Sequence, residues 1–219
     1  MPGTTAPEDR DVTVEAGDVQ LPGMLHLPTG ATGIVVFAHG SGSSRFSRRN
    51  QRVAEFFNRG GLATLLFDLL TAEENRVDEQ TRHLRFDIPM LGERLIRTVD
   101  WIRGQPDMAS LRIGLFGAST GAAATLIAAA ERPEAVRAVV SRGGRPDLAG
   151  ACLERVRAPV LLIIGAEDYA VIGMNRKAAA ALDCPHRIEI VAGATHLFEE
   201  PGRLEEVARL ARGWLLDYL

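Results

Sequence analysis

The sequence predicts an α/β fold, a three-layer α/β/α sandwich with a mostly parallel sheet, and three observations carry that expectation. From Gly33 onward, short runs rich in Val, Ile and Leu alternate with longer segments of helical period. The runs are apolar almost throughout, as strands covered on both faces must be. No repeat and no Pro/Ser-rich linker divides the chain. The 219 residues are therefore read as a single domain over residues 1–219, with residues 1–10 expected to be flexible.

Taken in order, Val12–Glu15 and Met24–Leu27 alternate apolar with other residues and predict an antiparallel hairpin at the sheet edge. The parallel strands are expected at Ile34–Ala38, Ala63–Asp68, Arg112–Phe116, Ala138–Ser141, Val160–Ile164 and Arg187–Val191. Between them, Ile88, Leu91, Leu95, Val99 and Ile102 keep a spacing of three or four, as do Leu204, Val207, Leu210, Trp214 and Tyr218. Both segments predict amphipathic helices lying against the sheet, and Ala122–Ala130 is a further run of helix formers. The charge-rich stretch Thr71–Asp87 has no such stripe and is read as a solvated surface loop, a lid over the site being the alternative. The connection between Ser141 and Val160 is too short for an inserted cap domain.

A chain that is 46% hydrophobic and 24% charged can build a core. With 25 basic against 28 acidic residues and a net charge of -3, it has no positive field for nucleic acid or anionic lipid. Its longest apolar stretches fall short of the ~20 residues that cross a bilayer, so no membrane association is expected. Met1–Arg10 lacks the pattern of a signal peptide, which makes a cytoplasmic location the expectation. Cys152 and Cys184 lack ligand spacing and are expected as buried free thiols, with no metal. Nothing in the sequence bears on oligomeric state.

The chemistry is concentrated at Gly117-Ala118-Ser119-Thr120-Gly121, set between an apolar strand and a helix-forming run. That placement predicts a tight strand-to-helix turn holding the Ser119 hydroxyl out as a nucleophile, with Gly117 and Gly121 allowing the close backbone. A serine needs a base and a group that orients the base. His196, just after the strand Arg187–Val191, is the candidate base, and Asp168, after Val160–Ile164, the candidate orienting acid. Glu167 and Asp147 are rivals for the acid. The oxyanion of an attacked carbonyl calls for two amides, assigned to the backbone N–H groups of Thr120 and of Ser41 in His39-Gly40-Ser41-Gly42. His39 and Gly40 are expected to brace that turn. The loop lacks both the GK[ST] ending and the GxGxxG order of phosphate cradles. Arg142 and Arg145 are candidates to meet a substrate carboxylate, the alternative being ordinary exposed arginines.

These residues resemble the α/β-hydrolase superfamily over nearly all of Gly33–Leu219, with the chain order Ser, Asp, His. Within it they look most like the dienelactone hydrolase group. The likeness lies in the small capless size, the Gly-x-x-Asp of Gly165–Asp168, and the His-x-Phe of His196–Phe198 after Gly193-Ala194. One departure is plain: that group typically carries cysteine at the elbow, where this chain has Ser119. The resemblance implies a small-molecule ester, thioester or lactone as substrate, an acyl-enzyme on Ser119, and no cofactor. Acyl transfer to another acceptor, perhydrolysis, and a non-catalytic ligand-binding module on the same fold are the alternatives. Without a cap the pocket is expected to be shallow and to favour acyl chains of about two to six carbons, because further methylenes would stay in water.

Overall fold

In the computed structural model, which describes residues 8–219, each apolar run read as a strand is one, with ends moved by a few residues. They are β3 (Gly33–Ala38), β4 (Ala63–Phe67), β5 (Arg112–Ala118), β6 (Val136–Arg142), β7 (Val160–Gly165) and β8 (His186–Val191). Before them comes the hairpin β1 (Glu8–Ala16) and β2 (Val19–Leu27). The sheet order is β1-β2-β4-β3-β5-β6-β7-β8; β2 pairs antiparallel with β1 and β4, and all other pairings are parallel.

Successive side chains leave a strand on opposite faces, and β3 shows the result. Val35 and Phe37 pack with Phe57 and Phe116 under α1 (Arg48–Asn58) and α6 (Arg203–Leu216). Ile34, Val36 and Ala38 join the opposite core, which holds Leu95 and Val99 of α3 (Ile88–Gly104) and Leu126 of α4 (Gly121–Glu131). The expected amphipathic helices are α3 and α6. A fifth helix follows β7, α5 (Tyr169–Ala179), which buries Val171 and Ala178 on the α4 side.

Three expectations need correction. The hairpin is longer than the two four-residue runs, because backbone pairing continues from Ala16↔Val19 to Glu8↔Leu27 where the side chains are exposed and carry no apolar pattern. Residues 8–10 are therefore strand, with Arg10 ion-paired to Asp107, rather than flexible; the rest of the segment expected to be flexible, residues 1–7, lies outside the described residues. Finally, Thr71–Asp87 is not an irregular loop: it contains α2 (Ala72–Thr81) and a 3-10 turn at Leu84–Phe86.

Helix α2 exists without an apolar stripe because polar contacts hold it. Thr71 and Glu74 form a reciprocal capping box. Glu74 also accepts a 2.7 Å bond from Arg94 of α3, and Arg94 donates to the Leu69 carbonyl. Arg94 keeps the Glu74 pKa below its usual value against burial. Asp78, buried, accepts from the Arg85 backbone N–H at 3.1 Å and from Arg85 Nε at 2.6 Å. Burial by itself would raise the Asp78 pKa, but the Arg85 contacts together push it down.

Between β6 and β7 the chain makes a 3-10 segment, Pro146–Arg155, broken at Gly150. Cys184 is buried and Cys152 half-buried, both as free thiols. Among the described residues no helix is long and apolar enough to cross a membrane.

Candidate active site

Ser119 sits at the junction of β5 and α4 with φ +50, a left-handed backbone that costs a non-glycine residue about 1–3 kcal/mol. The turn is closed by the Ala122 N–H on the Ser119 carbonyl at 3.1 Å. Its two glycines are dictated by space: a Cβ on Gly121 would lie 2.2 Å from the Ala38 carbonyl oxygen, and one on Gly117 would lie 2.5 Å from the Ala122 Cα. The elbow thus lifts the serine out of the sheet's C-terminal edge at the N-terminus of α4, where backbone N–H groups favour negative charge.

The candidate base and its partner come from the ends of β8 and β7, neighbours in the sheet. Nδ1 of His196 is 2.6 Å from Oδ2 of Asp168. The loops after β7 and β8 are interwoven: the Glu167 N–H donates to the Ala194 carbonyl, and a Cβ on Gly165 would meet that same oxygen at 2.3 Å. The loop carrying His196 is further held by Glu200, whose Oε1 accepts from the Thr195 N–H and hydroxyl, and by Phe198, buried at φ +56. Ser119 and His196 flank the same turn. The Ser119 N–H donates to the Arg142 carbonyl, and one residue on, a Cβ at Gly143 would lie 3.5 Å from His196 Nδ1. The rival acids are engaged elsewhere, Glu167 with the Tyr169 hydroxyl at 2.7 Å and Asp147 with Arg145 at 2.9 and 2.8 Å.

The loop after β3 packs on the elbow, with a Cβ on Gly40 coming within 3.0 Å of the Ser119 Cβ. Among the described residues neither the Ser41 N–H nor the Thr120 N–H has a hydrogen-bond acceptor. His39 is buried: its Nδ1 donates to the Gly40 carbonyl at 3.0 Å, and its Nε2 accepts from the Leu69 N–H at 3.0 Å. Those two contacts select a neutral ring, and burial lowers its pKa against the opposing pull of Gly40 and Asp68.

Beside the elbow opens a cavity of about 870 Å³, lined by Ser41, Ser43 and Thr120 on one side and by Asn75, Glu79 and Arg82 of the α2 segment on the other. One of its walls is α2, where a surface loop was expected. Neither candidate arginine lines it. Arg145 is held bidentate by Asp147, while Arg142 is buried with its guanidinium 5.9 Å above the Phe116 ring. Burial, with nearby Arg49, takes the Arg142 pKa down to about 10. Two contributors had no sequence signal of function, Glu200 and Asn175, whose Nδ2 donates to the Gly144 carbonyl at 3.0 Å, whereas Phe198 stands in the His-x-Phe on which the resemblance rests. For α2 the signal was the Thr71-x-x-Glu74 capping pair.

Residues 21–216 match the Dienelactone hydrolase family. A crystal structure of a dienelactone hydrolase from Anabaena variabilis is 56% identical and superposes with a TM-score of 0.96, covering 98% of this chain and 100% of that one. A Mycobacterium tuberculosis protein provisionally named a phosphoribosyl transferase is 56% identical over 211 residues, which is 96% of this chain but 47% of that protein. The chain thus spans about half the length of that relative. Est1E from Butyrivibrio proteoclasticus, at 16% identity and a TM-score of 0.77 over 94% of this chain and 98% of its own, shares the fold.

Proposed function

The chain belongs to the dienelactone hydrolase family, and from that premise we propose that it is a serine hydrolase cleaving small carboxylic esters through an acyl-enzyme on Ser119. In the first step Nε2 of His196 takes the Ser119 proton as Oγ attacks the ester carbonyl carbon. The N–H groups of Ser41 and Thr120 receive the oxyanion, and the Asp168 carboxylate stabilises the imidazolium. His196 then returns the proton to the departing alkoxide. In the second step His196 deprotonates a water that attacks the acyl carbon, and Ser119 leaves with the proton restored. His39 and Gly40 position the oxyanion turn. The chemistry calls on no metal or organic cofactor.

The observation that carries this reading is the left-handed Ser119 beside two backbone N–H groups that no acceptor among the described residues uses. The bidentate Arg145–Asp147 pair and the burial of Arg142 argue against giving either arginine a substrate carboxylate. The transferase name belongs to a protein of which this chain spans 47%, and the Gly-rich loop here lacks the order of a phosphate cradle. Both points favour hydrolysis.

Two measurements test it. A fluorophosphonate should label Ser119 alone in the folded protein, and Ser119→Ala should lower kcat on p-nitrophenyl butyrate by about 10⁴-fold or more. Labelling at another serine, or retained turnover in the variant, overturns the assignment.

A further inference from the structure

The sheet has two edge strands, and β8 is the one at which its parallel part ends. That edge is open. From His186 to Glu189 its residues are exposed or half-buried, Ile190 is 42% exposed, and only Val191 is buried. An uncovered edge is a template for a further strand, and proteins ordinarily blunt it with charge. The charges here are Arg187 and Glu189, whose side chains are 51% and 33% exposed and pair at 3.0 Å within the chain.

The backbone groups that the edge offers follow from the bonds on its other side. The carbonyls of Pro185 and Val191 accept from the N–H groups of Val160 and Ala166, so both point toward β7. Successive residues of a strand turn their N–H and C=O groups to alternate sides. Arg187 and Glu189 therefore also bond inward, and His186, Ile188 and Ile190 present theirs to the open edge.

An antiparallel partner must align outward groups with outward groups. For a second copy of β8 related by a two-fold axis, the registers that keep most of the strand paired put that axis at Arg187, at Ile188 or at Glu189. An axis at Arg187 sets the two Arg187 side chains face to face, and one at Glu189 does the same with Glu189. Like charges directly opposite destabilise a ladder. An axis at Ile188 instead puts each Arg187 opposite Glu189 of the other copy, in the closely spaced pairs that carry no hydrogen bond. On the other face Ile188 meets Ile188 and Ile190 meets His186, in pairs that exchange backbone bonds. Of the three registers, this one alone sets opposite charges against each other.

We propose that β8 is an interface for a second copy of this chain, the two strands pairing antiparallel about a two-fold axis through Ile188 and joining two eight-stranded sheets into one. The two charges that guard the edge against other strands make it complementary to itself. Trp214 of α6 stands 5.3 Å from the Arg187 guanidinium, which places the ion pairs on the α6 face of the joined sheet.

Sedimentation equilibrium of the full chain from about 1 to 100 µM tests the proposal. The mass should approach twice the 23.7 kDa of one chain as concentration rises. Arg187→Glu and Glu189→Arg each set like charges opposite one another at both ion-pair positions, and each should raise the Kd at least tenfold. Mixed in equal amounts, the two variants should form a mixed dimer more tightly than either pairs with itself, because opposite charges then face each other again. The double variant carrying both changes restores the complementarity within one chain and should restore the dimer. Far-ultraviolet circular dichroism checks that each variant is folded; the two single changes are independent, so one that fails to fold leaves the other as the test. A monomer throughout the concentration range overturns the proposal. So does a dimer that a folded single variant leaves unweakened, which would place the interface on another face, and so does a folded double variant that stays monomeric.

Discussion

Asp168→Asn isolates the electrostatic part of the proposed mechanism, because the substitution keeps the shape of the side chain and removes its charge. The carboxylate is 2.6 Å from His196 Nδ1, and the two side chains are 14% and 39% exposed. When His196 takes the serine proton, the charge centres stand about 4 Å apart, worth about 4 kcal/mol at an effective dielectric of about 20. At about 1.4 kcal/mol per decade that is a factor of about 10³ in kcat. Solvent on the histidine side lowers the figure, whereas an asparagine presenting its NH₂ group would impose the wrong tautomer and raise it. The expected loss therefore lies between about 10² and 10⁴, the upper end being that of the chymotrypsin-type triad. The assay is kcat for p-nitrophenyl butyrate alongside the melting temperature, with KM expected to change little. Glu167→Gln and Asp147→Asn serve as controls and should stay within about threefold, since those carboxylates are bound to Tyr169 and Arg145. A loss under tenfold in a natively melting Asp168→Asn, or an equal loss in either control, would refute the reasoning.

Gly121→Ala drives a methyl to 2.2 Å from the Ala38 carbonyl oxygen and should destabilise by about 3 kcal/mol while disabling the elbow. Gly173→Ala, in α5 with open space around it, should stabilise by about 0.5–1 kcal/mol; chemical denaturation compares the two, and equal effects would count against the packing argument. Glu74 and Asp78 are held below their ordinary pKa values, so the stability they contribute is complete above about pH 5 and is lost as pH falls through the depressed folded values. Arg94→Met should cost about 1–3 kcal/mol at neutral pH and flatten the acid limb of a Tm-against-pH curve; an unchanged acid limb would mean the pair contributes nothing. Along a p-nitrophenyl ester series, kcat/KM should stop rising beyond about six acyl carbons, because the chain between Ser141 and Val160 inserts no cap domain and added methylenes stay in water. A maximum at twelve carbons would reveal an apolar channel.

Strand positions were readable from the residues because burial on both faces demands nearly continuous apolar runs, and β3 to β7 supply them, while the edge strand β8 shows instead an alternation of Ile188 and Ile190 with charged residues. The elbow was readable for a similar reason. A serine between glycines after a strand has few backbones available, and the steric limits at Gly117 and Gly121 act within a few residues or against the adjoining strand. The hairpin ends at Glu8–Arg10 were not readable, since exposed strand residues pair through their backbone and leave no pattern in side-chain polarity.

The sequence by itself determined the layered α/β architecture and the three candidate residues Ser119, Asp168 and His196 in their order, because periodicity and turn chemistry are local. Only the tertiary structure decided which carboxylate meets His196, since Asp168, Glu167 and Asp147 all follow strands and differ in the partner each finds in space. It alone turned the charged stretch into a cavity wall, through a bond from Arg94 to Glu74 twenty residues away. The bonds that decide the acid and the wall, Asp168 to His196 and Arg94 to Glu74, join residues distant in the chain, and their worth depends on burial, which one position's chemistry does not set.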